Sequence, residues 1–181
     1  MVTCGAASAI TVGTAACLSQ GDPAKLRQLP KRDGIKFEVI QPKGHQSGYE
    51  HQMELVGAKI ITVETAAEME AAINERTGMV FILNKGEPLG KISHADALRI
   101  AHAKGIPVMN DCASDAVPKE NLWKYTKMGF DLVIFSGGKA LRGPQASGLL
   151  LGRKDLIEAS YPAMSPFGGI GRGMKVGKEE C

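Results

Sequence analysis

The stretch DLVIFSGGKALRGPQASGLLLGRKDLI, residues 131–157, decides the fold. DLVIFS is an apolar, β-branched run without alternation, the pattern of a strand covered on both faces. It breaks at Gly137-Gly138, carries Lys139 into a glycine-proline turn, and gives way to a second apolar run, SGLLLG at 147–152. The intervening residues cannot form a crossover helix. The second run is therefore expected to lie antiparallel, within the sheet or at its edge. RKDLIEA then resumes a helical pattern.

Upstream, the same kind of strand recurs as FEVIQP (37–42), AKIITV (58–63), MVFILN (79–84) and IPVMND (106–111). Helix-like segments separate them. TAAEMEAAINERTG opens with Thr65 as N-cap and Glu68 three residues on, and Gly78 is expected to stop the helix. SHADALRIAHAKG repeats the arrangement with Ser93 as cap, Ala97, Ile100 and Ala101 on one apolar face, and Gly105 as terminator. Apolar strands joined by helices of this length define an α/β fold, a mostly parallel sheet with helices on both faces.

At the ends, VTCGAASAITVGTAACL is expected to enter a helix almost at residue 1, and SPFGGIGRGMKVGKEEC has no periodicity. The expected division is one domain over 1–165 and a glycine-rich linker over 166–181, with packing partners outside this chain. Both ends read as cut from something longer.

With 181 residues, 44% of them apolar, the chain can bury a core of one domain. A net charge of +3 with dispersed basic residues gives no nucleic-acid surface, so small molecules are the expected partners. Cys4, Cys17, Cys112 and Cys181 form no CxxC pair and suit reduced thiols in the cytoplasm. No run approaches the roughly 18 to 20 apolar residues of a membrane span. No metal site is assembled.

Ligands of an open parallel sheet bind outside the carboxyl ends of its strands, where loops diverge. Asp111 closes IPVMND, Lys139 follows DLVIFS, His45 follows FEVIQP, and Gly5 opens the first helix. Each has a plainer reading. Gly5-Ala6-Ala7 lets backbone N–H groups approach an anion, or merely packs a helix start. Asp111 leaves an apolar strand and needs a positive partner, such as a protonated ring nitrogen, or serves as a loop hydrogen-bond acceptor. Lys139, partly desolvated or beside another cation, would be an amine nucleophile; otherwise it is a surface lysine in a glycine turn. His45 stacks on a flat cofactor or is an ordinary loop residue, while His51, His94 and His102 read as solvated. A phosphate-binding P-loop is excluded, because its earlier glycine position holds Val133 and Ala140 follows the lysine. GGIGRG at 168–173 follows no strand and has Met174 at the third glycine of the dinucleotide fingerprint.

Together, VTCGAASA (2–9), GIPVMNDCAS (105–114) and the stretch 131–157 resemble the fold-type-I pyridoxal-phosphate enzymes. Within them the chain resembles the branch of L-seryl-tRNA(Sec) selenium transferase and D-glucosaminate-6-phosphate ammonia-lyase, with IGRGMKVGKEE (170–180) favouring the latter. The resemblance implies that pyridoxal 5'-phosphate is the cofactor and that Lys139 carries it as a Schiff base. It further implies that Asp111 pairs with the pyridinium nitrogen, that Gly5, Ala6 and Ser136 contact the phosphate, and that His45 stacks on the ring. Arg142 and Gln145 would position the lysine turn or touch substrate. The implied activity is ammonia-lyase-type β-elimination on an amino acid or phosphorylated amino-sugar acid, in a homo-oligomer. The alternatives are selenium transfer on seryl-tRNA and a noncatalytic fragment or assembly subunit.

Overall fold

A computed structural model describes residues 1–181. Seven strands form one sheet: β1 (Val2–Thr3), β2 (Glu38–Pro42), β3 (Lys59–Val63), β4 (Thr77–Leu83), β5 (Val108–Asp111), β6 (Leu132–Ser136) and β7 (Gly148–Gly152). Their order is β1-β7-β6-β5-β4-β2-β3. β3, β2, β4, β5 and β6 are parallel, while β7 runs antiparallel between β6 and β1. The expected α/β sheet is present, and β7 lies inside it because Val2–Thr3 pairs along its outer side.

The helices are α1 (Ala6–Ser19), α2 (Pro23–Gln28), α3 (His51–Glu54), α4 (Ala66–Ala72), α5 (His94–Ala103), α6 (Asn121–Met128) and α7 (Lys154–Ser160). Side chains alternate between the two faces of each central strand, so two cores form. On one face Val39, Met79, Phe81, Met109, Leu132 and Ile134 pack with Ile10 and Leu18 of α1, Met53 of α3 and Leu156 of α7. On the other, Ile40, Val80, Ile82, Val108, Val133 and Phe135 pack with Met69 of α4, Ile100 of α5 and Tyr125 of α6. No helix is long and apolar enough to cross a membrane.

The helix caps fall where the sequence places them. Thr65 Oγ1 accepts from the Glu68 N–H at 3.2 Å, and Ser93 Oγ from the Asp96 N–H at 3.1 Å. Gly105 adopts φ 67° beyond α5, as a terminator does. Gly78 does not act as one. α4 ends at Ala72 and Gly78 lies within β4, where a Cβ would run into Leu18 of α1. The glycine marks close helix–sheet packing, which looks the same in sequence as a helix stop.

The first helix begins only after β1 and Gly5. Gly171 is buried against Val12 and Ala163, and Ile170 and Val176 pack on the α1 face of the core. These residues find their partners within the chain because α1 is apolar all round and offers more surface than the sheet covers.

Candidate active site

A cavity of about 300 Å³ opens along the carboxyl edge of the sheet. Its wall is built by the start of α1 (Gly5, Ala6, Ala7, Ile10), the segment after β2 (Gln46, Ser47, Tyr49), the end of β4 (Leu83, Lys85), the end of β5 (Asp111, Ala113–Asp115), and Ser136 with Lys139 after β6. That volume lies at the lower end of the usual range for small-molecule sites, about 300–1,000 Å³. Five of the residues singled out in the sequence, Gly5, Ala6, Asp111, Ser136 and Lys139, share this space.

Asp111 sits at its inner end. β5 pairs with β4 through Leu83 and with β6 through Ile134, so the carboxylate leaves the middle of the sheet, and the residue is 4% exposed. Oδ1 accepts from the Ala113 N–H at 2.9 Å, the loop hydrogen bond of the plainer reading. Burial pushes its pKa up from the ordinary 3.8, and the Ala113 N–H and the charges of Lys139 and Lys85 only partly oppose this. Desolvation outweighs its partners. Asp111 makes no ion pair within 4 Å, and Lys139 and Lys85 act on it only from farther away.

Lys139 projects from a turn fixed by backbone. The Gly137 N–H donates to Ser147 O at 2.8 Å, the Gly143 N–H to Gly137 O at 2.8 Å, and the Arg142 N–H to Lys139 O at 2.9 Å. Side chains are barred at Gly137 and Gly138 because Ser147 and Gln145 lie against them. Lys139 itself is exposed, as in the plainer surface reading, while still lining the cavity. The amine is accessible from solvent.

Gly5 adopts φ 142°, and a Cβ there would meet nothing within 4 Å. Packing does not demand its small size. The open space fronts the start of α1, whose first backbone N–H groups have no intrahelical acceptors.

The remaining sequence candidates lie outside the lining. Arg142 is exposed and in the left-handed region at φ 55°. Gln145 is exposed and packs on Gly138, a position that shapes the lysine turn. His45 is fully buried behind the segment Asn84–Leu89, with its ring against Gly86 and Gly90 and its Nδ1 accepting from the Leu83 N–H at 3.2 Å. His45 is not among the residues that line the cavity. His94 is also buried, edge-on to Phe130, contrary to the solvated reading, because α5 turns its first residue onto the sheet. Lys85, Tyr49, Ser47 and Asp115 are lining residues that no motif flagged. The carboxyl-edge rule, applied to the residues directly after MVFILN, would have pointed to Lys85.

A parallel sheet that brings a buried acid and an accessible amine from adjacent strand ends to one cavity, with a helix start opposite, is the large domain of the fold-type-I enzymes. The chain belongs to the aminotransferase class-V family, whose model matches residues 44–174. It is 32% identical over 189 residues to D-glucosaminate-6-phosphate ammonia lyase of Salmonella typhimurium, covering 98% of this chain and 49% of the relative. It is 31% identical to a 5'-C-glycyluridine monooxygenase-decarboxylase of a Streptomyces species, covering 97% and 45%. The L-seryl-tRNA(Sec) selenium transferase of Aquifex aeolicus is 31% identical over 51% of this chain and 24% of its own. A solved structure of D-glucosaminate-6-phosphate ammonia-lyase superposes with a TM-score of 0.88 at 31% identity, over 99% of this chain and 50% of that one. The chain spans about half the length of the curated relatives it matches along its whole length.

Proposed function

We propose that the chain is the cofactor domain, residues 1–165, of a pyridoxal-phosphate-dependent lyase. Its substrate would be an amino acid or phosphorylated amino-sugar acid, which loses a β-substituent and then ammonia. Residues 166–181 would lead toward the part of the relatives that this chain does not span. The observation that carries the reading is that Asp111 and Lys139 face one cavity from neighbouring strand ends.

The cavity fits the cofactor on its own chemistry. Buried Asp111 has no cation paired directly with it, a place that a protonated ring nitrogen would fill, and the open start of α1 suits a phosphate. When bound, pyridoxal phosphate supplies a protonated ring that accepts the electron pair left on the substrate's Cα.

The protein's part is to hold charges and protons. Asp111 keeps the proton on the ring nitrogen. The N–H groups at Gly5 and Ala6, with the Ser136 hydroxyl, orient the phosphate. Lys139 Nζ anchors the cofactor and then takes the Cα proton as general base. With a β-hydroxyl as leaving group, the Lys139 ammonium would return that proton to the hydroxyl oxygen as the Cβ–O bond breaks, so that water departs. The released enamine takes up one water to give a keto acid and ammonia, so the net products are keto acid and ammonia alone.

The likeness to D-glucosaminate-6-phosphate ammonia lyase along 98% of the chain supports this over selenium transfer, where likeness extends over 48–59% of the chain. Four free cysteines accord with a reducing cytoplasm, and assembly with further copies accords with a cavity that is open on one side. The test is absorbance on adding pyridoxal phosphate, followed by ammonia release from D-glucosaminate 6-phosphate. Uptake that disappears in Lys139→Ala, with the fold intact by circular dichroism, supports the proposal. Uptake without ammonia release favours a binding or assembly role, and no uptake by the wild type defeats the cofactor reading.

A further inference from the structure

Two cations line the cavity, Lys139 and Lys85. The proposed function occupies the first and leaves the second without a role. Lys85 lies two residues beyond Leu83, the strand partner of Asp111, so β4 delivers it to the same edge of the sheet. Lys85 is exposed and, like most lysines of the chain, has no carboxylate oxygen within 4 Å of its ammonium; its place in the cavity wall sets it apart. It is also close enough to Asp111 for its charge to act on that carboxyl.

The backbone that carries Lys85 is held firmly. On one side of it the Leu83 N–H donates to His45 Nδ1, and on the other a Cβ at Gly86 would lie 2.9 Å from His45 Cδ2. The His45 ring thus clamps both flanks of the lysine while staying out of the cavity. Asn84, immediately before, is fixed as well: its Nδ2 donates to Asp115 Oδ2 at 3.1 Å and to the Tyr125 hydroxyl at 3.0 Å. An ammonium on a braced segment, in a cavity wall that also contains Ser47 and Ser114, gives a polar subsite with one positive charge.

We infer that Lys85 binds an oxyanion of the substrate, so that this end of the cavity selects acidic or phosphorylated molecules. His45 is the positioning residue for it. The inference rests on the proposed function, which assigns Lys139, Asp111 and the start of α1 to the cofactor. The oxyanion is a carboxylate or a phosphate, since an ammonium recognises either as a point charge.

The test uses Lys85→Gln and Lys85→Arg in the full chain loaded with pyridoxal phosphate. Cofactor absorbance is measured first, and then calorimetric titration with three probes: D-gluconate 6-phosphate, D-gluconate and glucosamine 6-phosphate. Expected are unchanged absorbance in both variants and about tenfold weaker probe binding in Lys85→Gln, recovered at least in part by Lys85→Arg. Weakening for both phosphorylated probes but not for D-gluconate assigns the phosphate. Weakening for both acids but not for glucosamine 6-phosphate assigns the carboxylate. Probe affinities within twofold of wild type in Lys85→Gln, or a loaded wild type that binds no probe, overturn the inference while leaving the cofactor reading standing. Absence of absorbance in the wild type instead overturns the parent reading, and the inference with it.

Discussion

The backbone N–H of Leu83 donates to Nδ1 of His45, 38 residues earlier in the chain, at 3.2 Å in a fully buried setting. That nitrogen must stay unprotonated to accept. Burial holds the His45 pKa down at about 4, aided by nearby His94 and opposed by Glu87. A histidine with a depressed folded pKa contributes stability that is present above its unfolded value and lost as pH falls toward the folded one. The wild type should lose stability between about pH 6.5 and pH 4. His45→Leu, which cannot titrate, should flatten part of that slope in urea unfolding. His94, whose pKa burial also lowers, contributes to the remainder, and toward about pH 4 so do Glu38 and Glu50, whose burial is outweighed by hydrogen bonds that hold their pKa down. At pH 7.5 the same variant should be less stable by about 1–3 kcal/mol, since the Leu83 N–H loses its acceptor.

Asp111 titrates in the opposite sense. Its folded pKa is raised by burial, so without cofactor its contribution is present below the unfolded carboxylate value and is lost as pH rises through the folded one. Asp111→Asn should therefore melt at or above the wild-type temperature at pH 7.5, and the difference should vanish below about pH 4. Adding pyridoxal phosphate should reverse the order, because asparagine cannot hold a charged ring nitrogen. A thermal-melt series with and without cofactor checks both signs.

Gly78 and Leu18 set the distance between α1 and β4. Gly78→Ala should destabilise by about 1–3 kcal/mol through overpacking. Leu18→Ala alone should cost about 2–5 kcal/mol by leaving a cavity. Combined, they should cost clearly less than their sum, since the alanine methyl enters the space that leucine vacates. A double-mutant cycle by chemical unfolding reads that coupling.

Arg142 separates turn-shaping from substrate contact. At φ 55° any side chain with a Cβ is strained, so Arg142→Gly should gain up to about 1 kcal/mol, while Arg142→Ala keeps the strain. If the guanidinium touches substrate, both variants should raise KM alike. If only the turn matters, kinetics should be unchanged in Arg142→Ala.

Local pattern in the sequence determined the strands, the caps at Thr65 and Ser93, the terminator at Gly105, and the acid and amine at the ends of IPVMND and DLVIFS. These depend on hydrogen bonds and side-chain periodicity within a few residues, which a linear string records. The tertiary structure alone decided that Gly78 is a packing glycine, that β7 lies inside the sheet, and that His45 stands behind the cavity wall while Lys85 lines it. Each of those outcomes turns on a contact between segments distant in the chain, Leu18 with Gly78, Val2 with Leu149, His45 with Leu83. A residue's type limits what it can do, but only close packing decides which surface it meets.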